Sequence, residues 1–124
     1  TFVTSSGAAA INTALVAFLK QGDHMLLVDN VYSPTRGFAD KFLKKLGVET
    51  TYFDPHIGAG IAKLIKKNTK VIFMESPGSQ TFEIQDVPAI CKIAKKHNLK
   101  LKKVFRSSSN QSINCFQCQS DFLS

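Results

Sequence analysis

Three short stretches carry residue types that could do chemistry. Ser5-Ser6-Gly7-Ala8 places hydroxyls and a glycine at the start of an apolar, small-residue segment. If that segment is a helix, its first turn leaves backbone N–H groups without partners. Together with the helix dipole they form an anion site, and Gly7 allows close approach. The alternative is an ordinary N-cap on a tightly packed helix. Asn30-Val31-Tyr32-Ser33-Pro34-Thr35 follows a strand-like run and precedes a helical one, so the Tyr32 ring could stack on a planar ligand. The alternative is a rim or packing tyrosine. Glu75-Ser76-Pro77-Gly78-Ser79 follows the apolar run Val71–Met74. A polar turn with Pro and Gly at a strand end often faces a ligand, and it can equally be a plain turn.

Other candidates are weaker. Cys115 and Cys118 have metal or redox spacing but no second ligand pair. Cys91 lies beside Ile90 on a helix face, a packing position. His24, His56 and His97 are scattered and suggest no triad. An odd cysteine count of three, without a signal-peptide pattern, argues against a disulfide scaffold and favours a reducing cytosol. The first residue is Thr1, so the chain is expected to begin inside a longer protein.

The elements that must position these stretches alternate. A helix is expected from Ser5-Ser6-Gly7 to Leu19, apolar nearly all round and therefore buried. Met25–Val28 reads as a strand. Pro34 to Leu46 reads as a helix with Phe38, Phe42, Leu43 and Leu46 on one face. Thr50–Phe53 is a short strand, and Ile57 to Lys67 an amphipathic helix through Ile57, Ile61, Leu64 and Ile65. Val71–Met74 is continuously apolar, as in a sheet buried on both faces. Residues 78–85 form a loop. Asp86 caps a helix that has Pro88 in its first turn and runs to about His97, and a strand begins at Leu99–Leu101. This alternation predicts an α/β fold, part of a mostly parallel, doubly wound sheet. In such sheets ligands bind at the carboxyl ends of the strands, where all three stretches would lie.

Length and composition set the outer limits. The 124 residues suffice for one small domain, and 44% hydrophobic with 20% charged residues is ordinary for a globular chain. No apolar run reaches membrane-spanning length. The formal charge of +7 invites a nucleic-acid reading. However, Lys41, Lys44, Lys45, Lys63, Lys66, Lys67, Lys92, Lys95 and Lys96 sit on expected solvent faces, with no interleaved aromatics for base stacking. No nucleic-acid or membrane partner is expected. Character changes near Lys102. Residues 102–124 hold no Gly or Pro, and Ser, Gln, Asn and Cys fill 13 of 23 positions. The expected organisation is a domain over 1–101 and a foreign, disordered tail over 102–124.

Taken in order, Ser-Gly-Ala-Ala-Ala-Ile at 6–11, Gly-Asp-His at 22–24, Tyr32, Tyr-Phe-Asp-Pro at 52–55, Ile-Gly-Ala at 57–59, Glu-Ser-Pro-Gly-Ser at 75–79 and Asp-Val-Pro-Ala-Ile at 86–90 resemble the cystathionine β-lyases. These form a branch of the pyridoxal-phosphate-dependent cysteine/methionine-metabolism enzymes, which have the aminotransferase-like fold. The resemblance covers residues 1–101 without gaps. It implies that the N–H groups of Gly7 and Ala8 hold the phosphate of pyridoxal 5'-phosphate. It implies that Tyr32 stacks on the pyridine ring and assists proton transfer, and that Ser79 lies near the ring's 3-oxygen. It further implies a cytoplasmic, homo-oligomeric enzyme of transsulfuration and methionine biosynthesis that acts on cystathionine.

The resemblance also marks what is missing. The family's Schiff-base lysine lies beyond residue 124. Its aspartate, which pairs with the pyridine nitrogen inside an Asp-Asn-Thr motif, belongs after the strand starting near Leu99. Leu101-Lys102-Lys103-Val104-Phe105-Arg106 stands there instead. Val28-Asp29-Asn30 looks like that motif but belongs to an earlier strand. The amino-terminal segment that completes the family's dimer and phosphate site has no counterpart here. The chain is therefore expected to be an inactive fragment. The alternatives are a non-catalytic binding remnant and a truncated product without function.

Overall fold

The computed structural model describes residues 3–106 and 113–117. Five strands form one sheet: β1 (His24–Val28), β2 (Glu49–Phe53), β3 (Thr69–Glu75), β4 (Lys100–Arg106) and β5 (Ile113–Gln117). Their order is β2-β1-β3-β4-β5. The pairs β1–β2, β1–β3 and β3–β4 are parallel, and β4–β5 is antiparallel. The central strands are apolar on both faces: every residue of β1, and all of β3 except Lys70, is buried. This is the pattern of a sheet covered on both sides.

From β1 the chain steps outward to β2, then returns past β1 to β3 and continues to β4. With right-handed crossovers these two directions send the connections to opposite faces. The packing agrees. Helix α1 (Gly7–Phe18) packs against α2 (Ser33–Gly37), and helix α3 (Val87–Lys96) packs against a 3₁₀ segment over Gly58–Leu64. The fold is the expected α/β doubly wound, mostly parallel sheet.

Several elements depart from expectation for local reasons. Helix α1 is not buried all round. Ile11, Leu15 and Leu19, four residues apart, form one buried line, whereas Val16 is 45% and Phe18 36% exposed. One face of a helix is all that a sheet can cover. The helix expected from Pro34 to Leu46 starts as α2 and widens into a π-helical stretch over Phe38–Leu43. The wider turn moves the inward face to Thr35, Ala39 and Leu43 and leaves Phe42 and Leu46 exposed. Phe42 stacks on Phe38 with ring centroids 4.9 Å apart.

The helix expected from Ile57 to Lys67 is only the 3₁₀ segment, with Ile61 buried. Gly58 and Gly60 disfavour α-helix by about 1 kcal/mol each, and Gly58 has φ +51°. Helix α3 forms as expected. The Asp86 side chain accepts from the Ala89 N–H, Pro88 lies in the first turn, and Ile90 and Ala94 are buried. Cys91 is half-buried against the core, a packing position as expected.

The boundary expected at 101 falls inside β4, which continues beside β3 to Arg106. Part of the expected tail, Ile113–Gln117, is paired as β5. The remaining tail positions, 107–112 and 118–124, and with them Cys118, lie outside the described residues.

Candidate functional site

The strand order reverses between β1 and β3, so the crevice at their carboxyl ends is the topological switch point, where open α/β sheets bind ligands. The loops after β1 and β3 both lie there. The start of α1 reaches the same edge. Its far end turns into β1 through Lys20–Asp23, where the Asp23 N–H donates to the Lys20 carbonyl at 3.0 Å and the Lys20 N–H to Asp23 Oδ2 at 3.0 Å. A helix of 12 residues runs about 18 Å back along a five-residue strand of about 17 Å. The Gly7 end is therefore directed to the carboxyl edge.

At that end Ser6 is the N-cap. Its side-chain oxygen accepts from the Ala9 N–H at 3.1 Å, and its carbonyl accepts from the Ala10 N–H at 3.0 Å. Among the described residues no acceptor is found for the N–H groups of Gly7 and Ala8, and the sequence 6–10 has no basic or bulky side chain to cover them. Four half-buried small residues, Gly7 to Ala10, line this end.

The loops after β1 and β3 are clasped together. The Tyr32 N–H donates to Glu75 Oε2 at 2.9 Å, and the Ser79 N–H to the Asn30 carbonyl at 3.2 Å. Asn30 Nδ2 donates to Glu83 Oε2 at 2.8 Å and to Thr81 Oγ1 at 3.1 Å. The Thr81 hydroxyl also donates to Glu83 Oε2, at 2.6 Å. These bonds, led by those from Thr81 and Asn30, hold the Glu83 carboxyl below its ordinary range, and His56 Nε2 adds a contact at 3.2 Å. Gln85 closes the loop: its Nε2 donates to the Glu75 carbonyl at 2.6 Å and its N–H to Ser76 Oγ at 3.2 Å. Two buried acceptors in this clasp, Asn30 Oδ1 and Gln85 Oε1, have no hydrogen-bond donor among the described residues. Tyr32 itself is 37% exposed at the crevice mouth.

Beside the clasp lies a second polar set. The Arg36 guanidinium bonds Asp29 and sits 4.1 Å above the Tyr52 ring, while the Tyr52 hydroxyl donates to Asp40 Oδ1 at 2.6 Å. Burial, then the bond to Asp40, pushes the Tyr52 hydroxyl well above the usual tyrosine range. Asp29 thus serves α2 and does not occupy a ring-nitrogen position on β4.

The loops that carry Tyr32 and Ser79 are bonded directly to each other, and the direction of α1 points Gly7 and Ala8 toward the same edge. Of the histidines, His24 is buried at the amino edge between Thr69 and Thr51, and the exposed His56 touches the clasp only through Glu83. Sequence reasoning placed Asn30 and Glu75 inside candidate loops without giving them a role, and missed Gln85 as part of the site. Asn30 and Glu75 were visible because each is a polar residue just past an apolar run, Met25–Val28 and Val71–Met74.

A family model for the Cys/Met metabolism PLP-dependent enzymes matches residues 1–108. The chain is 54% identical over 84 residues to cystathionine beta-lyase MetC of Escherichia coli, covering 68% of this chain and 21% of that protein. It is 48% identical over 92 residues to cystathionine beta-lyase of Haemophilus influenzae, covering 74% and 23%. The crystal structure of cystathionine gamma-lyase from Lactobacillus plantarum complexed with L-serine superposes with a TM-score of 0.75 at 33% identity, covering 83% of this chain and 26% of that one. The chain thus spans between a fifth and a quarter of the length of these two curated relatives.

Proposed function

This chain belongs to the Cys/Met metabolism PLP-dependent enzyme family, and from that premise we propose that its switch-point edge is the cofactor-binding part of a cystathionine β-lyase-like carbon–sulfur lyase. The observation that supports the reading is the clasp between the loops after β1 and β3 at the switch point, toward which the direction of α1 points its first turn. The residues fit pyridoxal 5'-phosphate. The Gly7 and Ala8 N–H groups would hold the phosphate, favoured by the dipole of α1. The exposed Tyr32 ring would stack on the pyridine, with Ser79 beside it. When bound, the cofactor supplies an electron sink for a substrate carbanion. The chain's own residues bind and orient it.

The intact protein would act on cystathionine, breaking its Cβ–S bond to give homocysteine, pyruvate and ammonia, in the cytoplasm and as a homo-oligomer, within transsulfuration and methionine biosynthesis. The 124 residues themselves would not turn substrate over. Strand β4 runs where the resemblance expects the ring-nitrogen aspartate to follow, and residues 100–106 contain no acid. No lysine here matches the family's lysine motif. We further propose that residues 102–124 depart from the family through a shifted reading frame. Reading the nucleotide sequence beyond codon 101 in all three frames tests this: an Asp-Asn-Thr continuation in another frame supports it, and its absence from every frame overturns it.

The functional test titrates the purified 124-residue chain with pyridoxal 5'-phosphate. Saturable binding is expected, with no pyruvate formed from cystathionine and no borohydride-stable adduct on a lysine. Failure to bind sinks the cofactor reading. Pyruvate formation, or a lysine adduct whose removal by mutation abolishes binding, sinks the claim of inactivity.

A further inference from the structure

We propose that Glu75 is the positioning residue of Tyr32, holding the ring at the crevice mouth through the tyrosine's own backbone. The proposal rests on the cofactor reading only for what the ring does there; the Glu75–Tyr32 link stands on geometry.

Glu75 closes strand β3 and is only 3% exposed. A carboxylate buried that deeply is unfavourable unless donors satisfy it. One of its donors is the Tyr32 N–H, 2.9 Å from Oε2 and 43 positions away in sequence. The bond spans the switch point, from the end of β3 to the loop after β1.

On its N–H side the backbone of Tyr32 is held by this bond. Tyr32 is the N-cap of α2, and its carbonyl accepts from the Thr35 N–H at 2.9 Å and the Arg36 N–H at 3.2 Å. Those bonds root the carbonyl in the helix. The N–H points the other way, outside the helical pattern, and Glu75 takes it. Held at both ends, Tyr32 keeps φ −50° and ψ 128°, which sets the direction of its Cα–Cβ bond and so of the ring. Glu75 is itself braced by Gln85, whose Nε2 donates to the Glu75 carbonyl at 2.6 Å. Glu75 therefore acts through Tyr32 and need not touch a ligand.

The test uses the full chain with Glu75→Gln, which keeps an oxygen acceptor, and Glu75→Met, which removes it at similar size. Two quantities are read: hydrogen exchange of the Tyr32 amide, and the dissociation constant for pyridoxal 5'-phosphate. In the unsubstituted chain the Tyr32 amide is expected to be protected. Glu75→Gln should keep most of that protection and weaken binding by no more than about threefold. Glu75→Met should lose the protection and weaken binding by about tenfold, as for loss of one hydrogen bond. A merely structural role would lower thermal stability in both variants without separating the Tyr32 amide from its neighbours. The proposal is overturned if that amide exchanges freely in the unsubstituted chain, a measurement that needs no variant to fold, or if Glu75→Gln and Glu75→Met weaken binding equally. If the unsubstituted chain binds no cofactor, the function proposed above fails, while the exchange data alone still decide the Glu75–Tyr32 link.

Discussion

The loop after β3 can approach the loop after β1 because residue 78 has no side chain. A Cβ on Gly78 would lie 2.2 Å from Asn30 Nδ2 and 3.0 Å from Thr81 Oγ1. Asn30 cannot retreat without releasing Glu83 and Thr81, and its carbonyl holds the Ser79 N–H. Gly78→Ala is therefore expected to open the clasp and to destabilise the chain by about 1–3 kcal/mol, the usual cost of overpacking. Urea unfolding measures the loss, and loss of protection at the Ser79 amide locates it. Stability and protection both unchanged would show that the loops are not closed in solution. Sequence reading singled out the loop from its Pro and Gly but assigned the chemistry to Ser79 alone. The closing partner, Asn30, was already in view 48 positions earlier as part of the tyrosine loop. Periodicity gives no information on which two loops meet; the strand order does.

The same limit operates on elements. Both central strands and the capped helix α3 were legible because each carries its own signal, a continuous apolar run or an Asp followed by Pro. The π-helical widening over Phe38–Leu43 and the 3₁₀ segment were not, because tertiary packing chooses among helical forms that share similar spacing. His24 shows the consequence for a single strand. It looked like a scattered histidine, yet it joins three strands: its Nδ1 lies 2.7 Å from Thr69 Oγ1 on β3 and its Nε2 2.9 Å from Thr51 Oγ1 on β2. Thr69 Oγ1 also accepts from the Lys66 N–H at 2.7 Å, so its own proton is available to a neutral imidazole. Burial first, then Lys66, lowers the histidine's pKa below 6.5, against a smaller opposing effect of Glu49.

The sign of the resulting pH dependence follows from which state takes up the proton. Below about pH 6.5 the unfolded chain binds a proton at this position that the folded chain resists, so stability falls as pH decreases from there toward the lowered folded value. Glu49, held low chiefly by its bond to Lys66, and Glu83 titrate below 4.5 and contribute only at more acid pH. Thermal midpoints are thus expected to drop between pH 7 and pH 5.5, with a shallower slope in His24→Gln, which can still bond both threonines. Equal slopes in the two proteins would remove His24 as the cause.

At the scale of the whole molecule, the sheet is asymmetric in how it is covered. Strand β1 has β2 on one side and β3 on the other, and β3 lies between β1 and β4, so the backbones of these two strands are hydrogen-bonded along both edges. Their side chains form the centre of the core: Met25, Leu26, Leu27, Ile72 and Met74 are fully buried and Phe73 is 1% exposed. Strand β2 is paired on one side only, with Glu49 exposed and Thr50, Thr51 and Tyr52 half-buried. A chain that folds cooperatively around such a centre should exchange its amides in a graded order. Met25–Val28 and Val71–Met74 are expected to be slowest, β2 faster, and the 3₁₀ segment over Gly58–Leu64 fastest among the regular elements. The measurement separates two accounts of a partial family member. If the switch-point core is a stable unit able to present Gly7, Tyr32 and Ser79 together, the central amides exchange only by global unfolding, and their rates fall in parallel when pyridoxal 5'-phosphate is added, because a ligand bound to the folded state alone stabilises every region that opens only on global unfolding. If the chain is a product without function, exchange is uniform along the sequence and indifferent to the cofactor. A graded pattern without a cofactor effect would keep the fold and remove the site.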